Sequence, residues 1–472
     1  MNKSLKQMKE DLLRRSRHGN EIMDKSELKV VDKFCEGYKN FLNKSKTERQ
    51  SIKEAISMAE KFGFVEFDSN VTYKPGEKIY CQNREKSVIF AVIGKNKAKN
   101  GFKMAISHVD SPRLDLKPNP IYESDSLVLL KTHYYGGIKK YQWLTCPLSL
   151  HGKIIKKNGE SVEVSIGEDD EDPQFCITDL LPHLGRELIQ KKISEAFLGE
   201  NLNAIIGSRF ISIDGEKVVG GDKKNLAKLN ILSILNEKYG VTETDFLSAE
   251  LEFVPAFKAR DIGFDRSMIG AYGHDDRSCT YASLKAILEC SNVDNTVITA
   301  LVDKEEVGSN GNSGMKSSFF KDFLEDIIEK EDLKVRHVLK KSKCLSTDVS
   351  AAFDPNFKTY YEATNTSYIN CGVVVTKYTG VGGKAGSSDA SAEFMAEIRR
   401  IFDENNVLWQ TGELGKIDDG GGGTIAKYVA NLNVDVVDVG VPVLSMHSPF
   451  EVVSKIDVYS NFLAVKSFFE SK

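Results

Sequence analysis

Phe102-Lys103-Met104-Ala105-Ile106-Ser107-His108-Val109-Asp110 is a short apolar run that ends in a histidine and an aspartate. Residues 296–302 (TVITALV) form a second such run, and the polar sequence DKEE follows it directly at 303–306. Apolar runs of this length, bounded by polar residues, are typical of buried strands. In open α/β sheets the loops that follow the strands converge at one edge, and sites form there. The two runs therefore predict a sheet with reactive side chains along one edge.

The rest of the chain supplies helices for this sheet. Residues 30–41 repeat apolar side chains at steps of three and four, as an amphipathic helix does. Residues 87–93 form another strand-like run, and from about 246 onward strand-like and helix-like segments alternate. Such alternation is typical of a sheet layered between helices. We predict an α/β fold with a mixed sheet flanked by helices.

Residues 112–248 have a different pattern from the sequence on either side of them. They contain short strand-like runs separated by polar turns, an acidic run at 168–172 and one amphipathic helix at about 224–238. We predict that they form a strand-rich domain inserted into the α/β domain. The α/β domain would then consist of residues 1–111 and 249–472.

Charge and cysteine content limit the classes of partner. The 472 residues include 64 Lys+Arg and 68 Asp+Glu, a formal net charge of −4. This balance removes the electrostatic reason to expect binding to nucleic acid or to an anionic membrane. No run approaches the ~18 apolar residues of a membrane span, and the eight cysteines are scattered without a C-x-x-C pair. We therefore expect a cytoplasmic protein with reduced thiols that binds neither nucleic acid nor membranes.

Acidic and imidazole side chains recur where the predicted strands end. They follow a strand or, in one case, open a helix, and they are His108, Asp110, Asp275, Asp276, Glu305, Glu306, Asp348 and His447. Each has an ordinary alternative, because adjacent glutamates are common on solvated surfaces and two acids at a helix start interact favourably with the helix dipole. Their shared position at strand ends favours a common metal site.

The chemistry of these side chains limits which metals the site can bind. Histidines and carboxylates without a thiolate suit zinc, cobalt or manganese. Because a carboxylate can bridge two ions, five side chains can hold a pair of ions about 3.5–4 Å apart. Of Glu305 and Glu306, one could be a ligand and the other a general base. Asp110 could orient the second ring nitrogen of His108.

Six segments resemble the signatures of the aspartyl aminopeptidase / aminopeptidase I family of dizinc metallopeptidases. The longer ones are SHVDSPRLD (107–115), DKEEVGS (303–309) and GVPVLSMHS (440–448). The shorter ones are YGG (135–137), LPHL (181–184) and GSSDA (386–390). They occur in the family's order through nearly the whole chain, and the combination is far more specific than any single motif.

The resemblance implies a metalloaminopeptidase with two divalent metal ions per chain, zinc in the first instance and cobalt or manganese as alternatives. In this assignment Asp275 bridges the two ions, with Asp276 as the alternative bridge. The remaining roles also follow from the family pattern: His108 and Asp348 complete one ion, Glu306 and His447 complete the other, Glu305 is the general base, and Asp110 is the partner of His108.

The resemblance also implies how the protein assembles and what it binds. The inserted domain would be a dimerisation domain, and the homo-oligomer would be a dodecamer built from dimers, acting on peptides with a free N-terminus. Gly422, in the glycine run 420–423, would lie beside the substrate. Lys377, after the strand-like run 372–375, could pair with a carboxylate of the substrate or could simply be a solvated lysine.

One departure from the family pattern leaves the substrate preference open. In eukaryotic aspartyl aminopeptidases a histidine follows the YGG segment and reaches the active site of a neighbouring subunit, whereas this chain has QWLTC at 142–146. Both an inter-subunit contact and a strict preference for acidic residues therefore stay open. Two other functions remain as alternatives: a different dizinc hydrolase, such as a carboxypeptidase or a polysaccharide-cleaving enzyme, and a non-catalytic assembly homologue.

Overall fold

The computed structural model describes residues 4–14, 17–213, 216–217, 224–331 and 333–472. Its helices are α1 (Leu5–Leu12), α2 (Gly19–Ile22), α3 (Lys25–Lys44), α4 (Glu48–Glu60), α5 (Arg186–Gln190), α6 (Ile193–Ala196), α7 (Leu226–Tyr239), α8 (His274–Glu289), α9 (Phe319–Ile328), α10 (Val335–Leu339), α11 (Ala392–Glu404), α12 (Ala426–Ala430) and α13 (Lys455–Glu470).

The strands are β1 (Val65–Glu66), β2 (Lys78–Asn83), β3 (Ser87–Val92), β4 (Lys103–His108), β5 (Arg113–Ser124), β6 (Leu127–Tyr135), β7 (Leu148–Ile155), β8 (Ser161–Ile166), β9 (Ala204–Gly207), β10 (Ser212–Ile213), β11 (Glu216–Lys217), β12 (Ala249–Pro255), β13 (Arg260–Ile262), β14 (Met268–Ala271), β15 (Val297–Val302), β16 (Lys343–Ser346), β17 (Ser350–Ala351), β18 (Val373–Thr376), β19 (Gly380–Val381), β20 (Trp409–Thr411), β21 (Gly421–Gly422), β22 (Asp435–Gly440), β23 (Pro442–Leu444) and β24 (Glu451–Ser454).

A nine-stranded mixed sheet forms the centre of the molecule, in the order β1-β2-β3-β15-β4-β16-β22-β18-β20. The four strands β15, β4, β16 and β22 are mutually parallel. Their neighbours β3 and β18 run antiparallel to them. The α/β fold with a mixed sheet is thus confirmed, and the runs at 102–106 and 296–302 are adjacent strands at its centre.

Alternating side chains of these strands pack into two different cores. In β3, Val88, Phe90 and Val92 face the core formed with α3, α4, α8, α11 and α13. Ile89 and Ala91 face the core formed with α9, α10 and α12. Successive side chains of a strand point to opposite faces, so a sheet covered on both sides needs strands that are apolar throughout. This is why its strands appear in the sequence as continuous apolar runs.

A second, antiparallel sheet of six strands has the order β8-β7-β12-β5-β6-β9 and carries its own apolar core. Five of its strands and helix α7 come from the segment 112–248, as its strand-like pattern predicts. The sixth strand, β12, lies past residue 248 and pairs with both β5 and β7. The sheet therefore extends beyond the predicted boundary, because the returning chain completes it before rejoining the α/β layers.

A third sheet has five strands, in the order β13-β14-β24-β23-β17. Strand β14 pairs with β24, and this brings the start of α8 next to the segment that precedes α13. Among the described helices, none combines the length and the apolar character needed to cross a membrane.

Candidate metal centre

The predicted site residues meet at the carboxyl edge of the parallel strands. His108 is the last residue of β4 and pairs with Val302 at the end of β15. A short 3₁₀ helix, Glu305–Val307, follows β15, and Asp348 lies two residues beyond the end of β16. Because these strands are parallel and in register, the loops that follow them come together.

Asp275 occupies the centre of this group. Its Oδ1 atom lies 3.2 Å from Nε2 of His108, and its Oδ2 atom lies 3.1 Å from Nε2 of His447. On the first side, Nε2 of His108 is also 3.8 Å from Oδ1 of Asp348. On the second side, Nε2 of His447 is 3.5 Å from Oε1 of Glu306. The five side chains therefore form two triads that share one carboxylate.

These separations fit the ligands of a small divalent cation. Ligands about 2.0–2.2 Å from a tetrahedral zinc ion lie about 3.3–3.6 Å from one another. Within the described chain, no hydrogen-bond donor satisfies Oδ1 of Asp275 or Oε1 of Glu306, although both atoms are buried. Buried carboxylate oxygens without a donor are costly unless a cation neutralises them, so the donor set and the spacing both fit bound metal.

The electrostatics of the cluster lead to the same conclusion. Burial, together with repulsion from Asp275, raises the pKa of Glu306 well above its ordinary value. Burial also raises the pKa of Asp348, against the opposing effect of His108. For His108 burial acts to lower the pKa, but the surrounding carboxylates Asp110, Asp275 and Asp348 raise it well above the usual range. Ionising these buried carboxyl groups together is therefore unfavourable by itself, and a bound divalent cation would offset that cost.

Glu305 stands beside the two triads rather than within them. Burial raises the pKa of its carboxyl to about 8, with His108 opposing this shift and Asp348, Asp110 and Asp275 adding to it. Its main-chain N–H donates to Oδ1 of Asp110 at 3.1 Å. A carboxyl group with a pKa near neutral pH can both accept and return a proton.

Asp110 connects several parts of the centre from its fully buried position. Its carboxylate accepts hydrogen bonds from the N–H groups of Glu305 and Glu306, at 3.1 and 3.2 Å, and one from the hydroxyl of Tyr135, at 2.8 Å. Nδ1 of His108 bonds to the main-chain oxygen of Asp110 at 2.9 Å and lies 3.3 Å from its Oδ1 atom. The predicted pairing with His108 therefore involves main chain and side chain together.

Asp276, the alternative bridge, has a different environment from Asp275. It is buried, and its Oδ2 atom accepts a hydrogen bond from the main-chain N–H of His108 at 3.3 Å. Burial, with added repulsion from Asp348, raises the pKa of its carboxyl well above the usual value. Asp276 supports the backbone of a candidate ligand, whereas the side chain of Asp275 faces both histidines.

Two contacts of the centre could not be derived from spacing. Nδ1 of His447 is hydrogen-bonded to the main-chain oxygen of Gly137 at 2.8 Å. A Cβ atom at Gly137 would approach the same ring nitrogen to 3.3 Å, so the close packing favours glycine there. The YGG segment marked this region, but a main-chain contact leaves no side-chain signal in a sequence.

Glu451 is the other contact that the sequence did not reveal. It is 1% exposed and accepts hydrogen bonds from the main-chain N–H groups of Asp275, at 3.1 Å, and His447, at 2.7 Å. It lies four residues after His447 within an otherwise unremarkable strand. Only the pairing of β24 with β14 brings it to Asp275.

Lys377 and Gly422 are the two residues predicted to bind substrate, and they lie in different segments: Lys377 directly follows β18, and Gly422 is in β21. Nζ of Lys377 is 3.5 Å from Oδ1 of Asp389, and both side chains are nearly half exposed. Gly422 pairs with Gly380 where β21 meets β19. Neither residue belongs to the two triads, and the role of both in substrate binding stays a prediction.

Comparison with known proteins shows which family the chain resembles. Residues 41–469 match the family model described as aminopeptidase I zinc metalloprotease (M18). The probable M18 family aminopeptidase 1 of Clostridium acetobutylicum is 49% identical over 460 residues, which cover 96% of this chain and 97% of that protein.

Solved structures of similar proteins agree with the fold. A crystal structure of an M18 family aminopeptidase from Thermotoga maritima has a TM-score of 0.91 at 42% identity and covers 98% of this chain and 100% of that one. The mApe1 dodecamer of S. cerevisiae has a TM-score of 0.75 at 20% identity, covering 94% of this chain and 97% of that one. At that identity the second likeness shows the fold alone.

Proposed function

The chain belongs to the M18 family of aminopeptidase I zinc metalloproteases and is a metalloaminopeptidase; from this premise we propose that its strand-edge cluster holds two divalent metal ions bridged by Asp275. The observation that carries the proposal is the placement of the two oxygens of Asp275, which face His108 and His447 at 3.2 and 3.1 Å. A single carboxylate with one imidazole beside each oxygen can bridge a pair of ions.

Each ion would have its own set of ligands. His108 and Asp348 would complete the coordination of the first ion, together with Asp275. Glu306 and His447 would complete the coordination of the second ion, again with Asp275. The absence of thiolate among these ligands suits zinc, cobalt or manganese, and the family is one of zinc enzymes. Bound divalent ions supply Lewis acidity, which activates a water molecule and polarises the scissile carbonyl.

Glu305 would move the proton in this reaction. It would take the proton from the attacking water and return it to the amine that leaves as the peptide bond breaks. Burial raises the pKa of its carboxyl above the ordinary value, which makes Glu305 a better proton acceptor than an ordinary glutamate. The hydrogen bonds from the N–H groups of Glu305 and Glu306 to Asp110 would fix the base relative to the ligand beside it. Hydrolysis of peptides from a free N-terminus follows from the family.

Lys377 is our candidate for selecting the substrate side chain. Its side chain is 47% exposed, and its ammonium group shares Asp389 with Lys384, so a substrate carboxylate can replace Asp389 at modest cost. Gly422 would border the same surface. If this is correct, Lys377→Ala lowers kcat/KM for Asp- and Glu-p-nitroanilide while leaving Leu-p-nitroanilide unchanged. An equal change for all three substrates would contradict the assignment.

Residues 112–248, which supply most of the second sheet, are our candidate for the dimerisation domain. Along residues 180–198 large apolar side chains are exposed to solvent, among them Leu184 at 69%, Ile189 at 71% and Ile193 at 64%. Exposed apolar surface of this kind marks protein–protein contacts. A dodecamer built from dimers would bury this surface, and mApe1 of S. cerevisiae, which has a similar fold, is a dodecamer. Ile189→Lys should then yield smaller particles in solution, whereas an unchanged mass would contradict this assignment.

We place the enzyme in the cytoplasm. None of its eight cysteines, all of which lie in the described ranges, forms a disulfide. Burial raises the pKa of the thiols of Cys35 and Cys81, to about 11 for Cys81, which keeps them unreactive. Unbridged cysteines of this number are usual in a reducing compartment.

Metal content of single-ligand variants tests the proposed centre. We expect two ions per chain in the wild type, one in His108→Ala and one in His447→Ala, because each variant leaves the opposite triad intact. Metal content is measured by elemental analysis after dialysis against buffer with trace zinc. One ion in the wild type, or the loss of both ions from each variant, would contradict a bridged pair with separable ligands.

A further inference from the structure

Glu451 joins two parts of the centre that are distant in the sequence. Asp275 lies in the first turn of α8, and His447 lies between β23 and β24. Glu451 opens β24 and pairs with Ala271 of β14, four residues before Asp275. Its Oε2 atom accepts from the N–H of Asp275 and its Oε1 atom from the N–H of His447. Each carboxylate oxygen thus holds a different candidate ligand by its main chain.

The same two residues also meet through their side chains. Oδ2 of Asp275 and Nε2 of His447 are 3.1 Å apart, which is the separation of two ligands on one ion. Asp275 and His447 are therefore linked twice: by Glu451 on the backbone side, and by the candidate metal position on the side-chain side. His447 has a positive φ of 64°, so its backbone needs support from outside its own segment.

Only a carboxylate can serve both donors. The two N–H groups approach different oxygens, and an ionised carboxyl group has acceptor sites on both of its oxygens. A glutamine has the same shape but carries an NH₂ group in place of one oxygen, and this would face an N–H donor. One main-chain donor would then lose its partner inside the protein.

We propose that Glu451 is a positioning residue that sets the geometry of the metal ion held by Glu306 and His447. This inference rests on the proposed two-ion centre and adds to it a residue that touches neither metal nor substrate. The ion of His108 and Asp348 depends less on Glu451, because only the shared ligand Asp275 is bonded to it, whereas the other ion has both Asp275 and His447 held by Glu451. Loss of Glu451 therefore weakens the binding of the ion held by Glu306 and His447 more than the binding of the other ion.

The chain offers a matched control in Asp457. This carboxylate is also fully buried, and it accepts hydrogen bonds from the N–H groups of Asn370, at 2.8 Å, and Gly372, at 2.7 Å. Neither donor belongs to the two triads. Asp457→Asn and Glu451→Gln thus remove the same type of interaction, and only the second removes it from candidate ligands.

The test compares zinc retention by wild type, Glu451→Gln and Asp457→Asn against a graded series of chelator concentrations. We expect Glu451→Gln to release one of two ions at a roughly 10–100-fold lower chelator concentration, the usual effect of removing a group that orients ligands. Asp457→Asn should retain both ions as the wild type does. Excess zinc should restore the kcat of Glu451→Gln, which a purely structural defect would not allow.

Several results would overturn the inference. Wild-type zinc retention in Glu451→Gln, or an equal loss in Asp457→Asn, would show that Glu451 has no specific link to the metal. If Glu451→Gln does not fold, Glu451→Asp replaces it: it keeps both oxygens on a side chain one methylene shorter, and unchanged retention there also overturns the inference. A wild type that binds no zinc would instead contradict the proposed centre itself, a result distinguishable from the others.

Discussion

Replacing Tyr135 with phenylalanine should weaken the metal centre from the side of the second sheet. Tyr135 is the last residue of β6, and its hydroxyl donates to Oδ2 of Asp110 at 2.8 Å. Its ring lies 3.9 Å from the guanidinium carbon of Arg113. Tyr135→Phe removes the hydroxyl and keeps this stacking, so the change isolates a single hydrogen bond to a buried carboxylate.

The magnitude follows from that bond. A hydrogen bond to a charged group contributes about 1.5–3 kcal/mol, and we expect the free energy of unfolding to fall by this amount. Asp110 retains its hydrogen bonds from the N–H groups of Glu305 and Glu306, so the centre should loosen rather than collapse. We expect kcat/KM to fall by no more than roughly 10–100-fold, as for other groups that orient metal ligands.

Denaturant unfolding and hydrolysis of Leu-p-nitroanilide measure the two effects. Tyr134→Phe is the control, because Tyr134 is the preceding residue of the same strand, points to its other face and is 42% exposed. Removing its hydroxyl should change neither quantity. If Tyr135→Phe and Tyr134→Phe have the same free energy of unfolding and the same kcat/KM, the hydrogen bond from Tyr135 to Asp110 does not support the centre.

Two other predictions concern the start of α8. Asp275→Ala should abolish binding of both metal ions. Asp276→Asn should retain both ions, because the amide oxygen of the new asparagine can still accept from the N–H of His108. Elemental analysis that shows the reverse would make Asp276 the bridge. Burial lowers the pKa of His274 to about 3, with its ring nitrogens bonded to Tyr38 and Ile269. Its folded-state pKa therefore lies below the unfolded value of about 6.5, and the stability it contributes is lost as pH falls below about 6.5 toward 3. Between pH 7.5 and 5 this group should lower the free energy of unfolding by about 2 kcal/mol. In His274→Gln the free energy of unfolding, measured at both pH values, should fall by about 2 kcal/mol less than in the wild type. An equal fall in wild type and variant would show that His274 does not contribute this pH dependence.

Much of this molecule could be predicted from its sequence, because the main sheet is buried on both faces. Continuous apolar runs such as 102–106 and 296–302 mark its strands, and the histidine and carboxylates that follow these two runs lie at one edge because β4 and β15 are parallel. The six segments that resemble the aminopeptidase I family supplied the family, which the comparisons show. The grouping of His108, Asp275 and His447 then follows from topology.

The remaining features depend on contacts that leave no pattern in the sequence. The second sheet includes β12, which follows residue 248, the predicted end of the inserted domain. Strand pairing rather than residue type decides which segments join a sheet. Glu451 and Gly137 act on candidate ligands through main-chain groups. A main-chain donor or acceptor is present at nearly every residue, so only the folded structure reveals which of them meet.

The most direct test of the proposed mechanism is the activity and metal content of Glu305→Gln measured together. The variant keeps the N–H that bonds to Asp110 and leaves both triads intact, but it cannot accept a proton. We expect an unchanged content of two ions per chain and a kcat for Leu-p-nitroanilide lower by roughly 10²–10⁴-fold. Near wild-type kcat with both ions in place would show that Glu305 is not the general base.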